Sequence, residues 1–105
     1  MLIQINTDDN VSHSNTLMEW IETTLTEVLE RFADQVTRLE VHLSDENSDK
    51  KSGGSDMRCL LEARLKGRQP VAVTDAAPTV EQAVDGAVHK MRRSLDSTFG
   101  RLNKR

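Results

Sequence analysis

The chain changes its hydrophobic period several times, and each change marks an element. At the start Ile3 and Ile5 fall on one side and Gln4 and Asn6 on the other, a period of two that predicts a half-buried strand over residues 1–7. Residues 8–12 read as a connector. A helix is expected from Thr16, whose hydroxyl can cap the N-terminus while Glu19, three residues on, closes a capping box. Leu17, Trp20, Ile21, Leu25, Val28, Leu29 and Phe32 then follow at spacings of three and four and form one apolar stripe, which assigns Trp20 to the core. The opposite side carries Glu19, Glu22, Glu27 and Glu30.

Over residues 36–44 the period returns to two, with Leu39, Val41 and Leu43 against Arg38, Glu40 and His42, which predicts a second strand. Residues 45–56 (DENSDKKSGGSD) are polar and aperiodic and read as a long flexible loop between strands. Met57, Cys59, Leu61, Ala63 and Leu65 restore the alternation, opposed by Arg58, Glu62, Arg64 and Lys66. A tight turn at Lys66, Gly67 and Arg68 leads to a fourth strand over Gln69–Thr74, and Pro70, which has no N–H for a ladder, belongs at a strand start or an edge. A second helix is expected from Thr79, with Gln82 completing a capping box and Pro78 barring extension backwards. Its buried stripe is Val80, Ala83, Val84, Ala87, Val88, Met91, Leu95 and Leu102. Its outer side carries His89, Lys90, Arg92 and Arg93, then Arg101, Lys104 and Arg105. The order β-α-β-β-β-α predicts an α+β fold, a four-stranded sheet with both helices on one face, because each helix has a single stripe to bury.

A chain of 105 residues supports one core, so residues 1–105 are expected to form a single domain. Trp20, Phe32 and Phe99 are the only aromatics, too few for the base-stacking platforms of single-strand readers, so any nucleic-acid contact is expected to be mostly electrostatic. Cys59 stands alone, which excludes an internal disulfide and a multi-cysteine zinc site. It alternates with apolar neighbours and reads as a small core residue. The first residues lack a secretory pattern and no apolar run suffices to cross a bilayer, so a cytoplasmic address without membrane contact is expected.

The net charge of -3 conceals a division. Residues 1–56 hold twelve acidic groups against four Lys and Arg, whereas residues 57–105 hold ten Lys and Arg against five acidic groups. The best binding candidate is the basic cluster of Lys90, Arg92, Arg93 and Arg101, joined by Arg58, Arg64, Lys66 and Arg68 from the sheet's open face and turn; such groups contact phosphate without reading bases. The plainer account is a solvated helix end, with cations complementing the helix dipole and a local pair such as Arg92 with Asp96. His13, His42 and His89 show no metal-ligand spacing, and Lys50, Lys51, Ser52, Gly53, Gly54 lacks the order of a phosphate-binding loop. No paired carboxylates, nucleophile triad or dinucleotide fingerprint stands out. The chain is therefore expected not to be an enzyme, and to need neither cofactor nor small-molecule substrate.

The opening LIQIN, the helix pattern NTLMEWIETTLTEVLERF, the strand VTRLEVHL and the closing helix EQAVDGAVHKMRRSL together resemble the short ribosome hibernation promoting factors and the related ribosome-associated inhibitor of translation, also called sigma-54 modulation proteins. The closing helix is the most specific part: the family's Ala-Ile-Asp, then Asp-Lys-Leu with Arg two positions later, corresponds to Ala83, Val84, Asp85, His89, Lys90, Met91 and Arg93. The resemblance implies a fold similar to double-stranded RNA-binding domains. It also implies docking on rRNA of the small ribosomal subunit at the decoding region and tRNA channel, silencing ribosomes in stress or stationary phase. This chain departs from the pattern in its acidic first helix, in Glu81 where an aromatic is common, and in Ser97 and Phe99 where lysines are common. Each departure removes a possible phosphate contact and implies weaker, less salt-sensitive binding by a specialised member. The acidic half of the chain favours an alternative: a protein-interaction module of the same fold, whose acidic first helix docks a basic protein partner without ribosome binding.

Overall fold

The computed structural model describes residues 1–8, 11, 14–45 and 57–103, the last three by their backbone alone. The element order is β1 (Leu2–Thr7), α1 (Asn15–Leu29), a 3-10 turn (Glu30–Phe32), β2 (Val36–Asp45), β3 (Met57–Leu65), β4 (Val71–Ala77) and α2 (Val80–Asn103). The four strands form one sheet in the order β1-β2-β3-β4. β1 runs parallel to β2, a pairing that requires a crossover, and α1 is that crossover. The other neighbours are antiparallel. The expected fold class is thus the observed one. The expected 45–56 loop, apart from Asp45 at the end of β2, and His13 lie outside the described residues.

Register puts the alternating apolar positions on one side of the sheet. Ile3, Leu39 and Ala63 are in line, as are Ile5, Val41, Leu61 and Val73. Against this side lie Ile21, Leu25 and Leu29 of α1 and Ala83, Val84, Ala87, Val88, Met91 and Leu95 of α2, all buried in a single cluster. The other side of the sheet is open and carries Gln4, Asn6, Arg38, Glu40, His42, Arg58, Leu60, Glu62 and Arg64.

Two boundaries and one burial differ from the sequence reading. α1 begins at Asn15, and its cap is Ser14, in extended conformation, whose Oγ accepts from the Leu17 N–H at 3.1 Å. Thr16 is already helical and cannot serve as that cap. β4 covers Val71–Ala77, not Gln69–Thr74, because Asp75 and Ala77 are the register partners of Cys59 and Met57 at the start of β3. Pro70 stays just outside the ladder.

The third difference is Trp20, which is 36% exposed and not a core residue. Ile21, Leu25 and Leu29 define the buried line of α1, and Trp20, one residue before Ile21, is turned about 100° away from it. The α2 start is as expected: Thr79 Oγ1 accepts from the Gln82 N–H at 3.1 Å and donates to Gln82 Oε1 at 3.2 Å. Gly67, in the β3–β4 turn, has φ +64°, a left-handed conformation that favours glycine.

Candidate nucleic-acid interface

The eight cations singled out from the sequence do not form one surface. The buried stripe of α2 faces the sheet, so Arg92 and Arg93 are exposed on the outer side of the helix layer. Arg58 and Arg64 lie on the sheet's open side, at opposite ends of β3; six residues of strand separate them by about 20 Å. Lys66 and Arg68 occupy the β3–β4 turn. This turn meets the end of α2: Gly67, Arg68, Gln69 and Pro70 line a groove with Thr98, and the Arg68 guanidinium sits over the Phe99 ring at 5.4 Å. Arg101 lies in the last turn of α2, where the backbone alone is described.

The eight also differ in whether their charge is already engaged. Lys90 Nζ donates to Thr74 O at 2.8 Å and meets Asp75 Oδ1 at 3.1 Å. It holds the helix to the edge strand. Asp75 is on the helix-facing side of β4, and its carboxylate lies directly against the backbone of Gly86, where any Cβ would overlap it. Gly86, Lys90 and Arg93 follow at spacings of four and three, so Arg93 shares this flank of α2. Arg92 is on the other flank, beside a groove formed with Glu27, Val28, Glu30 and Arg31.

On the open side Glu40 is the hub of a small network. Its Oε2 lies 3.0 Å from Arg38 Nε and 3.7 Å from Arg64 Nε, and its Oε1 lies 3.5 Å from His42 Nε2. The Arg38 Nε contact is an ion pair without hydrogen-bond alignment. Arg38 also donates to Gln4 Oε1, and Arg64 Nη2 is 3.7 Å from Glu62 Oε1. Arg38 and Arg64 are register partners, so two cations and two carboxylates share this patch and largely cancel. By contrast, Arg58, Lys66, Arg92 and Arg93 enter no ion pair among the described residues.

The sequence reading passed over Arg31. It pairs with Asp96 of α2 and lies 5.0 Å from the Phe32 ring centroid, whose neighbour is Phe99 at 6.1 Å. Asp96 is therefore engaged across the helix pair and not with Arg92, a partnership of residues 65 apart that spacing cannot reveal. His89 Nδ1 is 2.8 Å from Asp85 O and 3.6 Å from Asp85 Oδ1.

Cys59 is buried where the sequence placed it, and burial, with the Asp75 charge second, pushes its thiol up to about 12. Such a thiol is protonated and unreactive at neutral pH. Among the described residues no group of three His, Cys, Asp or Glu side chains could hold a metal ion, and no helix is long and apolar enough to cross a membrane. What the arrangement offers is a set of unpaired cations on α2 and the adjoining turn, suited to phosphate and carrying no base-reading geometry.

Comparison with known proteins agrees in fold. The family described as sigma 54 modulation protein / S30EA ribosomal protein matches residues 3–103. The crystal structure of the Thermus thermophilus Protein Y N-terminal domain superposes with a TM-score of 0.73 at 21% identity, covering 93% of this chain and 99% of that one. A ribosomal subunit interface protein from Coxiella burnetii superposes with a TM-score of 0.76 at 17% identity, covering 95% of this chain and 99% of that one. No curated protein sequence matches this chain.

Proposed function

Because the chain belongs to the sigma 54 modulation protein / S30EA ribosomal protein family, we propose that it binds rRNA of the small ribosomal subunit and silences ribosomes in stress or stationary phase by occupying the tRNA channel at the decoding region. The family is one of ribosome-associated factors and not of enzymes. Binding by steric occlusion needs shape and phosphate contacts and no reacting group. Its place of action is the cytoplasm, where ribosomes are.

The observation that carries this reading is the unpaired state of Arg92 and Arg93 on the exposed side of α2, with Lys66 and Arg68 at the turn beside its end. Cations without acidic partners are free to release counterions from a phosphate backbone, and the resulting affinity falls as salt rises. Lys90 is a different case. To reach a phosphate it would have to leave Thr74 O and Asp75, so in this reading it seats the helix and does not anchor the RNA.

Sedimentation of the purified protein with ribosomal subunits through sucrose, at low and moderate salt, tests the proposal. The wild type is expected to travel with the small subunit at low salt and less so at moderate salt. Arg92→Glu/Arg93→Glu is expected to stay at the top, and Lys90→Ala to weaken binding far less. Wild-type protein that remains at the top even at low salt would overturn ribosome binding. A double variant that sediments like the wild type would overturn the assignment of the surface.

A further inference from the structure

The outward side of α1 gathers carboxylates that enter no ion pair among the described residues, a state shared elsewhere by the isolated Asp34 and Glu81. Glu40, Glu62, Asp75, Asp85 and Asp96 each meet an Arg, Lys or His of the same chain. Glu19, Glu22, Glu27 and Glu30 are all exposed and enter no ion pair among the described residues; Arg31, next in sequence, reaches across to Asp96 instead. Among these carboxylates stands Trp20, exposed where a tryptophan would normally be covered, and its indole N–H has no hydrogen-bond partner among the described residues.

We propose that this side of α1 docks an arginine-rich segment of a protein partner, with Trp20 as the platform for one guanidinium and Glu19, Glu27 and Glu30 as carboxylate partners for others. Tryptophan is the strongest cation–π acceptor, and a planar guanidinium can stack on it while its N–H groups bond neighbouring carboxylates. Trp20 and Glu27 are seven residues apart on one side of the helix, about 10 Å along its axis. An extended chain covers the same distance in about three residues, so long arginine side chains about two to four residues apart reach both groups.

Other occupants fit less well. Nucleic acid would be repelled by the four carboxylates. A purely apolar partner would find little beyond Trp20, since the other large exposed apolar residues among those described, Met1 and Leu2, belong to the chain start and β1. A metal ion has no suitable cluster among the described residues. This inference draws on α1 and not on the β3–β4 turn, and it meets the surface of the rRNA reading only where Glu27 and Glu30 share a groove with Arg92.

Trp20 is the only tryptophan of the chain, so its fluorescence reports the site directly. Titration at low salt with a short Arg-Gly repeat peptide is expected to change the Trp20 emission saturably, and a Glu-Gly peptide to leave it unchanged. A Lys-Gly peptide should bind about threefold or more weakly than Arg-Gly. Glu19→Lys/Glu27→Lys should weaken Arg-Gly binding by roughly tenfold or more. For Trp20→Ala, the anisotropy of a labelled Arg-Gly peptide should show a loss of about threefold or more. All three positions are exposed, and circular dichroism checks that each variant is folded. No saturable response to Arg-Gly in the wild type would overturn the proposal. So would equal affinity for Arg-Gly and Lys-Gly together with an unaffected Trp20→Ala, since diffuse attraction without an indole platform would then account for binding.

Discussion

Replacing Gly86 with alanine tests how α2 is seated on the sheet. In an exposed helix interior the change would stabilise by about 1 kcal/mol, because alanine loses less backbone entropy and is the better helix former. Here the new Cβ falls on the Asp75 carboxylate and lies 3.3 Å from Asp75 Cβ, which is fixed to the strand. Either the carboxylate rotates away and loses Lys90, or α2 lifts from β4. Overpacking of this kind costs about 1–3 kcal/mol, and the half-exposed ion pair adds up to about 1 kcal/mol more. The net expectation for Gly86→Ala is a destabilisation of about 1–2 kcal/mol, read as a lower urea midpoint and a Tm lower by roughly 4–15 °C. In an Asp75→Ala background the obstacle is gone, and the same substitution should change sign and stabilise by about 1 kcal/mol. The coupling energy from the double-mutant cycle is then about 2–3 kcal/mol. If Gly86→Ala stabilises both backgrounds equally, the carboxylate does not occupy the space above Gly86 and the account of Lys90 as a seating residue fails with it.

Two further expectations follow from particular atoms. Ser14→Ala should cost about 1 kcal/mol of stability in urea unfolding, whereas Thr16→Ala should change it by less than about 0.5 kcal/mol, because the Leu17 N–H bonds to Ser14; the reverse ranking would return the cap to Thr16. The Cys59 thiol, pushed from 9.0 to about 12 mainly by burial, is harder to deprotonate in the folded chain than in the unfolded one. The folded state therefore binds more protons through that interval, and the thiol's contribution makes stability fall as pH rises from 9.0 towards 12. A disulfide reagent at neutral pH should label Cys59 only as fast as the chain opens, and fast labelling under native conditions would contradict its burial.

Much of the fold was legible because backbone geometry is local. A period of two or of 3.6 residues is imposed by the strand or helix itself, so Leu39, Val41 and Leu43, or Ala83, Val84 and Val88, announce their buried side without knowledge of a partner. The family pattern in the closing helix was equally a property of the sequence. Errors fell where one local rule competed with another. Ser14 and Thr16 are both good caps, and only the path of the chain before α1 selects Ser14. Trp20 follows Leu17 by three residues, yet it also precedes Ile21, and the tighter line of Ile21, Leu25 and Leu29 decides which side is covered.

The candidate site was legible in composition but not in arrangement. Eight cations were visible in the sequence; which of them remain free depends on acids distant along the chain. Lys90 is engaged by Asp75, Arg64 by Glu40, and Asp96 by Arg31, each through strand register or helix seating. An ion pair requires approach within a few ångströms, a condition that residue type leaves open and three-dimensional packing settles. The sequence by itself thus determined the elements, their buried sides and the total of each charge. Tertiary structure decided which charges cancel inside the molecule and which are left for a partner.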